Sequence, residues 1–170
     1  MSTSEIEKGS QFDAVYSALF RDVYAYFNVC FGAVTAEDLS QEVFLRVWKS
    51  VDSGKTPDNW RAWVFRCAVN LKNDFLRQKY AGEKSQNAVE QFLTVQSPTA
   101  ENNGAQIGIQ AALSRLSAEE RELLTLKSFG FTSEEIGALL KISGSAVRTR
   151  LQKAKQSFKI YLESEGITDV

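Results

Sequence analysis

A stretch near the end of the sequence combines cationic and hydrogen-bonding side chains at helical spacing. Between residues 141 and 159 there are six basic residues and no acidic one, whereas a solvated helix usually mixes both signs. The outward side of the predicted helix carries Arg148, Thr149, Gln152, Lys153, Gln156 and Lys159. Because arginine and glutamine can form paired hydrogen bonds with base edges and lysine can neutralise phosphates, this side is typical of a helix that enters the major groove of DNA.

Three consecutive elements position this cationic side. The sequence predicts a short helix from Thr132 to Leu140, a tight connection "KISG", and a longer helix that begins near Ser145. The buried side of the longer helix carries Val147, Leu151, Ala154, Phe158 and Leu162. Ser143 and Ser145 lie at its N-terminus, where free backbone N–H groups favour a phosphate. This order is typical of a helix-turn-helix, with a basic solvated helix of an ordinary bundle as the alternative.

A second predicted helix, "NWRAWVFRCAVNLKNDFLRQK", carries a stripe of amide and guanidinium groups. Its far side presents Arg66, Asn70, Asn73 and Arg77, flanked by Trp63, and its buried side presents Val64, Cys67, Ala68, Leu71 and Phe75. Amides can meet the Watson–Crick edge of an unstacked base while cations follow the backbone, so the stripe suits single-stranded nucleic acid. A plain solvated face is the alternative, and the spacing of Trp60 points it toward the core. The loop 50–59 before this helix is polar and contains Lys55.

The segment "TAEDLSQEVFLRVWKS", residues 35–50, has helical spacing but is apolar on two sides. The inward stripe is Leu39, Val43 and Val47. The outward side comprises Asp38, Gln41, Leu45 and Trp48, with Phe44 at its edge. A surface helix of a small domain needs only one apolar side, and a large aromatic ringed by polar groups is the composition of a binding hot spot. The outward side therefore predicts a protein partner, although Phe44 can also belong to the core.

These segments belong to a predicted all-α fold of two small helical domains joined by a flexible linker. The first domain spans residues 1–80, the linker 81–105 and the second domain 106–170. In the first domain, Thr35 is the expected start of the second helix, and Thr56 with Pro57 of the third. The first helix, from about Gln11, has a single apolar stripe of Phe12, Val15, Tyr16, Leu19, Phe20, Val23 and Phe27. Capping boxes Ser117-x-x-Glu120 and Thr132-x-x-Glu135 divide the second domain.

Composition excludes several classes of site. The 170 residues are 44% hydrophobic and 24% charged, as in a soluble globular protein. There is no histidine, and Cys30 and Cys67 are isolated, so we expect no zinc site, no cofactor and no enzyme activity that depends on imidazole. The net charge of −1 means that any basic surface is local. Since the start does not resemble a signal peptide and no apolar run is long enough for a membrane span, we expect a cytoplasmic protein.

Three motifs together resemble a known family. "AEDLSQEVFLRVW" resembles region 2.2 of bacterial sigma factors, and "NWRAWVFRCAVNLKNDFLR" resembles their regions 2.3 to 2.4. "LSAEERELLTLKSFGFTSEEIGALLKISGSAVRTRLQKAK" resembles region 4. The order and the short gap between these motifs, over about residues 10–162, resemble the extracytoplasmic-function (ECF) group of the sigma-70 family.

The resemblance implies three binding surfaces. Core RNA polymerase would be bound, through the coiled-coil clamp helices of its largest subunit, by Asp38, Gln41, Glu42, Leu45 and Trp48. The −10 promoter element would be captured as single strand by Lys55, Arg61, Trp63, Arg66, Asn70, Asn73 and Arg77. The −35 element would be bound as duplex by Ser143, Ser145, Arg148, Thr149, Gln152, Lys153 and Gln156. The resemblance also implies an anti-sigma factor, often membrane-bound, as a partner, and a linker that runs toward the RNA exit path.

The turn of the helix-turn-helix departs from the family pattern. Lys141 stands where the family usually has glycine, at a cost on the order of 1 kcal/mol if that residue needs a positive φ. Ser145 and Ala146 replace a frequent Gly-Thr, which weakens the transfer of any −35 sequence preference. Arg150 falls beside the buried stripe, and its spacing leaves open whether it holds a phosphate or a carboxylate of the protein.

Two other classes of function compete with promoter recognition through polymerase. An autonomous helix-turn-helix regulator explains the C-terminal helices but gives no role to the outward side of residues 35–50. Such regulators also usually dimerise on paired half-sites, and the sequence shows no separate dimerisation element. A helical adaptor that binds only protein explains that outward side but not six cations in residues 141–159.

Overall fold

The computed structural model describes residues 2–81 and 104–168, and all regular structure in these ranges is helical. The helices are α1 (Thr3–Phe31), α2 (Ala33–Asp52), α3 (Trp60–Lys79), α4 (Gly104–Arg115), α5 (Ala118–Ser128), α6 (Ser133–Leu140) and α7 (Gly144–Ser164). The all-α prediction is therefore confirmed for these ranges. The predicted flexible linker lies almost entirely outside the described residues. None of the described helices is long and apolar enough to cross a membrane.

The chain divides into two compact units. The first contains α2, α3 and most of α1, and the second contains α4 to α7 together with the short segment Val29–Gly32. Between α1 and α2, Gly32 has a φ of 85°, a value that glycine adopts without strain. The predicted break at "FGAV" therefore coincides with a glycine that turns the chain.

Three α-helices pack around the core of the first unit. Its buried apolar side chains include Val15, Leu19, Val23 and Phe27 of α1, Leu39, Val43, Phe44 and Val47 of α2, and Val64, Phe65, Ala68, Val69 and Leu71 of α3. Phe65 and Val69 were not expected to be buried. They widen the buried side of α3 beyond the predicted stripe, whose members Cys67 and Phe75 are only partly buried.

Helix starts in the first unit differ from the sequence predictions. The first helix begins at Thr3, because Ser2 and Glu5 form a capping box in which the Ser2 backbone N–H donates to the Glu5 carboxylate at 2.7 Å. The second begins at Ala33, so that Thr35 is already inside the helix. The third begins at Trp60 instead of Pro57, because the Asn59 side chain accepts a hydrogen bond from the Ala62 N–H at 3.0 Å.

Both predicted capping boxes are present in the second unit. The Ser117 N–H donates to Glu120 at 2.9 Å, and the Thr132 N–H donates to Glu135 at 2.7 Å. The buried apolar residues of α5 to α7 include Leu123, Leu126, Ile136, Leu139, Val147, Leu151, Ala154 and Leu162. These contacts hold α6 and α7 together as a helix-turn-helix.

The turn between α6 and α7 is left-handed at Lys141. This residue has φ 59° and ψ 42°, so the position does require a positive φ. The turn closes through a hydrogen bond from the Ile142 N–H to the Gly137 carbonyl at 3.0 Å. A Cβ atom on Gly137 would lie 2.6 Å from the Ile142 carbonyl oxygen, which leaves no room for a side chain there.

Candidate functional surfaces

The outward side of α2 forms the first candidate surface. The structure places Asp38, Gln41, Glu42, Leu45 and Trp48 in exposed positions. Trp48 is 40% exposed and Leu45 is 52% exposed, whereas Phe44 between them is only 3% exposed. The helix is thus apolar both toward its own core and toward solvent, and Phe44 belongs mainly to the core.

Aromatic side chains of α1 extend this surface. Trp48 meets the ring of Phe12 edge-on with centroids 5.6 Å apart, and Tyr16 stacks on Phe20 at 4.7 Å. Phe44 lies beneath them, with its ring centroid 4.9 Å from that of Tyr16. Together they form a shallow groove, called here the aromatic groove, which is lined by Phe12, Tyr16, Phe20, Glu37, Gln41, Phe44, Leu45 and Trp48.

The predicted apolar stripe of α1 is therefore only partly buried. Val15, Leu19, Val23 and Phe27 are buried, whereas Tyr16 is 39% exposed and Phe12 and Phe20 are only partly covered. The physical reason is the width of the stripe, because seven apolar positions cover more of the helix than one packing face can bury. The width of the apolar stripe is a sequence signal of an exposed apolar surface on α1, as it is on α2.

The second candidate surface lies on α3 and the loop before it. Arg66, Asn70, Asn73 and Arg77 are exposed as the spacing predicted, Lys55 is exposed in the loop, and Arg61 and Trp63 are partly exposed. Arg77 is paired with Asp74 at 2.6 Å. Trp60 and Trp63 meet edge-on with centroids 5.5 Å apart, and Trp60 is half-buried. Trp60 is thus not a fully buried core residue.

The first part of the loop 50–59 is held by hydrogen bonds. The Ser50 hydroxyl donates to the carbonyl of Lys55, and the Lys8 ammonium donates to the carbonyl of Asp52 at 2.7 Å. Lys8 also pairs with the Asp52 carboxylate at 3.0 Å. These contacts fix the path of the backbone that carries Lys55.

Cys67 lies on α3 but on the side away from this stripe, and it is partly buried. Burial raises the pKa of the Cys67 thiol above its ordinary value, although the cations of Arg46 and Arg66 oppose the shift. The thiol therefore stays protonated near neutral pH, as expected of a packing residue and not of a nucleophile.

The third candidate surface is the outward side of α7. Ser143, Ser145, Arg148, Thr149, Gln152, Lys153, Gln156 and Lys159 are all exposed. Ser143 is the N-cap, and its hydroxyl oxygen accepts a hydrogen bond from the Ala146 N–H at 3.0 Å. The Thr149 hydroxyl donates to the Ser145 carbonyl at 3.2 Å. Gln152 and Gln156 project from this side, and Lys153 forms no ion pair within the described ranges.

Two arginines of α7 are paired with carboxylates on neighbouring helices. Arg150 contacts Glu119 of α5, so a carboxylate of the protein is one partner of this side chain. Arg148 contacts Glu134 of α6. The pKa of Glu134 is lowered by a hydrogen bond from its own backbone N–H and by the Arg148 guanidinium, so the carboxylate is ionised at neutral pH.

Two family models match the chain. The model described as Sigma-70 region 2 matches residues 13–81, which contain the first two surfaces. The model described as Sigma-70, region 4 matches residues 107–158, which contain the third surface. The two matches together cover most of the chain, in the order that the motifs predicted.

Sequence similarity to individual sigma factors is consistent with these family matches. The chain is 33% identical over 135 residues to the ECF RNA polymerase sigma factor SigE of Mycolicibacterium smegmatis, a match over 75% of this chain and 51% of SigE. It is 29% identical to the probable RNA polymerase sigma factor RfaY of Xanthomonas campestris, over 86% of this chain and 36% of that protein. The chain thus spans about half or less of the length of these two relatives.

The fold also occurs among solved structures. The sigma factor RpoE of Bartonella quintana, solved in complex with the anti-sigma factor NepR, matches with a TM-score of 0.72 and 21% sequence identity. The match covers 90% of this chain and 97% of RpoE.

Proposed function

Because the chain belongs to the ECF group of the sigma-70 family, we propose that it binds core RNA polymerase, recognises −35 and −10 promoter elements and supports promoter opening. The role is that of a specificity subunit and not of an enzyme. One observation carries the proposal: the exposed Trp48 and Leu45 lie on a helix whose opposite side is fully packed. Folding of the domain alone does not require this second apolar side.

The aromatic groove is the proposed site for core polymerase. Trp48 and Leu45 supply apolar area, and Asp38, Gln41 and Glu42 form a polar rim. Interfaces of this composition concentrate binding energy in a few aromatic anchors that are shielded by polar neighbours. The partner helix would be one of the clamp helices of the largest polymerase subunit, lying along α2 with Phe12 and Tyr16 of α1 at its edge.

The α3 surface is the proposed site for the −10 element. Asn70 and Asn73 can hydrogen-bond to an unstacked base, Arg66 and Arg77 can follow the phosphates, and Trp63 can stack on a base. Lys55 and Arg61 extend the cationic surface toward the loop. The hydrogen bonds of Ser50 and Lys8 support this role, since they preorganise the loop before DNA arrives.

The outward side of α7 is the proposed site for the −35 element. Arg148, Gln152 and Gln156 can contact base edges, whereas Lys153, Ser143, Ser145 and Thr149 can contact phosphates. The exposed positions of all these side chains support the proposal.

An anti-sigma factor is the proposed regulator. The solved relative RpoE is bound to one, and the aromatic groove of this chain offers an apolar surface that such a protein could cover. In that case the inhibitor and polymerase would exclude each other, and a membrane-bound inhibitor would hold this otherwise cytoplasmic protein at the membrane.

In vitro transcription tests the proposal. Core polymerase, the protein and genomic promoter fragments are mixed, and the 5′ ends of the RNA are mapped. We expect transcripts from a defined set of promoters that share −35 and −10 sequences. If the folded protein, free of inhibitors, gives no promoter-specific transcript with core polymerase, the proposal is wrong.

A specificity subunit and an autonomous regulator differ in how tightly the free protein should bind DNA. As a specificity subunit, the protein alone should bind DNA weakly and with a strong dependence on salt, since one small helix-turn-helix meets few phosphates. Tight, sequence-specific binding to an operator in the absence of polymerase would favour the alternative.

A further inference from the structure

Glu134 on α6 and Arg148 on α7 form an ion pair across the turn of the helix-turn-helix. The Nη1 group of Arg148 donates a hydrogen bond to Oε1 of Glu134. The exposed fractions of the two side chains are 58% for Arg148 and 69% for Glu134, so the pair lies on the outer surface. Because Arg148 belongs to the side of α7 that is proposed to meet the −35 element, a carboxylate stands beside the proposed DNA contact.

Gly144 makes room for this carboxylate. A Cβ atom on Gly144 would lie 2.9 Å from Oε1 of Glu134 and 3.3 Å from its carboxyl carbon. The carboxyl group therefore rests against the backbone of the first residue of α7. A side chain at residue 144 would therefore require the Glu134 carboxylate to shift from its present position.

The pair leaves most of the guanidinium available. An arginine side chain has five N–H donors in one plane, and a guanine offers two acceptors, N7 and O6, to a paired contact. With Nη1 engaged by Glu134, donors remain on the other edge of the plane. An exposed ion pair contributes little to folding stability, but the contact with Glu134 disfavours the orientations of Arg148 that would break it.

We propose that Glu134 is a positioning residue that determines specificity: it orients Arg148 for a paired contact with one guanine of the −35 element. The inference rests on the proposed function of α7. The carboxylate has a second effect of opposite sign, because its charge repels phosphates. Glu134 thus sharpens the preference for guanine while lowering affinity for DNA of any sequence.

A promoter library with a randomised −35 element measures this preference directly. Holoenzyme is assembled with each variant, and transcripts are sequenced to give the base preference at every −35 position. Glu134→Gln keeps the shape of the side chain but removes its charge. We expect it to lower the preference for guanine at one position by roughly fivefold to tenfold, as a weakened paired contact would. The free protein should at the same time bind unrelated duplex DNA more tightly.

Gly144→Ala distinguishes the positioning effect of Glu134 from the effect of its charge. The added methyl group displaces the Glu134 carboxylate but leaves the net charge unchanged. We expect this variant to lose the same guanine preference as Glu134→Gln without the gain in non-specific binding. The matched control is Glu119→Gln, which removes the partner of Arg150 in a comparably exposed ion pair outside the proposed contact surface. It should leave the base preference as in the parent protein.

Arg148→Ala separates failure of this inference from failure of the proposed function. If Arg148→Ala abolishes a guanine preference that Glu134→Gln and Gly144→Ala leave intact, Glu134 is not a positioning residue. If Arg148→Ala changes no preference, the role proposed for α7 is itself wrong, and the inference falls with it. Far-UV circular dichroism of each variant shows that the helices are retained.

Discussion

The indole of Trp48 on α2 meets the ring of Phe12 on α1 edge-on, with an interplanar angle of 88°. The contact holds a large aromatic at the surface in one orientation, although 40% of Trp48 remains exposed. A side chain fixed in this way loses little conformational freedom when a partner covers it. Trp48 is therefore the residue of the aromatic groove from which we expect the largest contribution to binding.

Trp48→Ala should greatly weaken the assembly of holoenzyme. Hot-spot aromatics cost about 2 kcal/mol or more when truncated, which corresponds to roughly a 30-fold loss of affinity for core polymerase. Titration of labelled core polymerase measures the loss, and circular dichroism should show unchanged helicity. Val34→Ala is the matched control, since Val34 is an exposed apolar residue of α2 outside the aromatic groove. Unchanged assembly with Trp48→Ala would mean that this side of α2 is not a binding site for core polymerase.

Asn70→Ala should impair promoter opening but not the binding of core polymerase. The loss of a hydrogen bond to an unstacked base costs about 0.5–1.5 kcal/mol, so we expect roughly a threefold to tenfold fall in open complexes. Permanganate reactivity of thymines near the start site measures opening. Gln78→Ala provides the control, because Gln78 is another exposed amide of α3 outside the predicted stripe. Equal effects of both substitutions would argue against a specific role for Asn70.

Lys153→Ala should weaken −35-dependent initiation in a manner that does not depend on base sequence. Loss of one phosphate contact lowers the slope of log affinity against log salt by about 1. Initiation at several salt concentrations measures this slope, with core binding assayed in parallel. Lys155→Ala removes an equally charged, exposed residue of α7 outside the predicted contacts and should change the slope less. A simultaneous loss of core binding would indicate misfolding instead.

Lys141→Gly should stabilise the helix-turn-helix. Lys141 has a φ of 59°, and replacing it with glycine should relieve about 1 kcal/mol of backbone strain. Gly137→Ala should act in the opposite direction, because its Cβ would lie 2.6 Å from the Ile142 carbonyl oxygen. Urea unfolding followed by circular dichroism compares the two variants. A destabilised Lys141→Gly would mean that the lysine side chain contributes more than the strain costs.

The sequence predicted those features of the fold that depend on residues only a few positions apart. The capping boxes at Ser117 and Thr132 and the exposed second side of α2 all follow from periodicity or from contacts over three residues. The start of α3 did not follow, because Thr56 and Asn59 are both suitable caps. Only the packed structure decides between them.

The sequence patterns did not predict the contacts between different helices. Arg148 and Glu134 are 14 residues apart on different helices, and their pairing depends on the crossing of α6 over α7 and on the space above Gly144. The division of the α1 stripe into a buried part and an exposed part likewise depends on where α2 lies. Spacing alone shows that a stripe is too wide but not which residues will be left uncovered.

The hydroxyl caps of the second unit bear on how it folds. Ser117, Thr132 and Ser143 each accept a hydrogen bond from an N–H three residues ahead, at the starts of α5, α6 and α7. Each start is thus selected by a contact within four residues of the chain, which needs no long-range contact. Chains dominated by such local contacts cross a low entropic barrier and fold fast. The helices of the second unit can therefore form early, before its long-range contacts are complete.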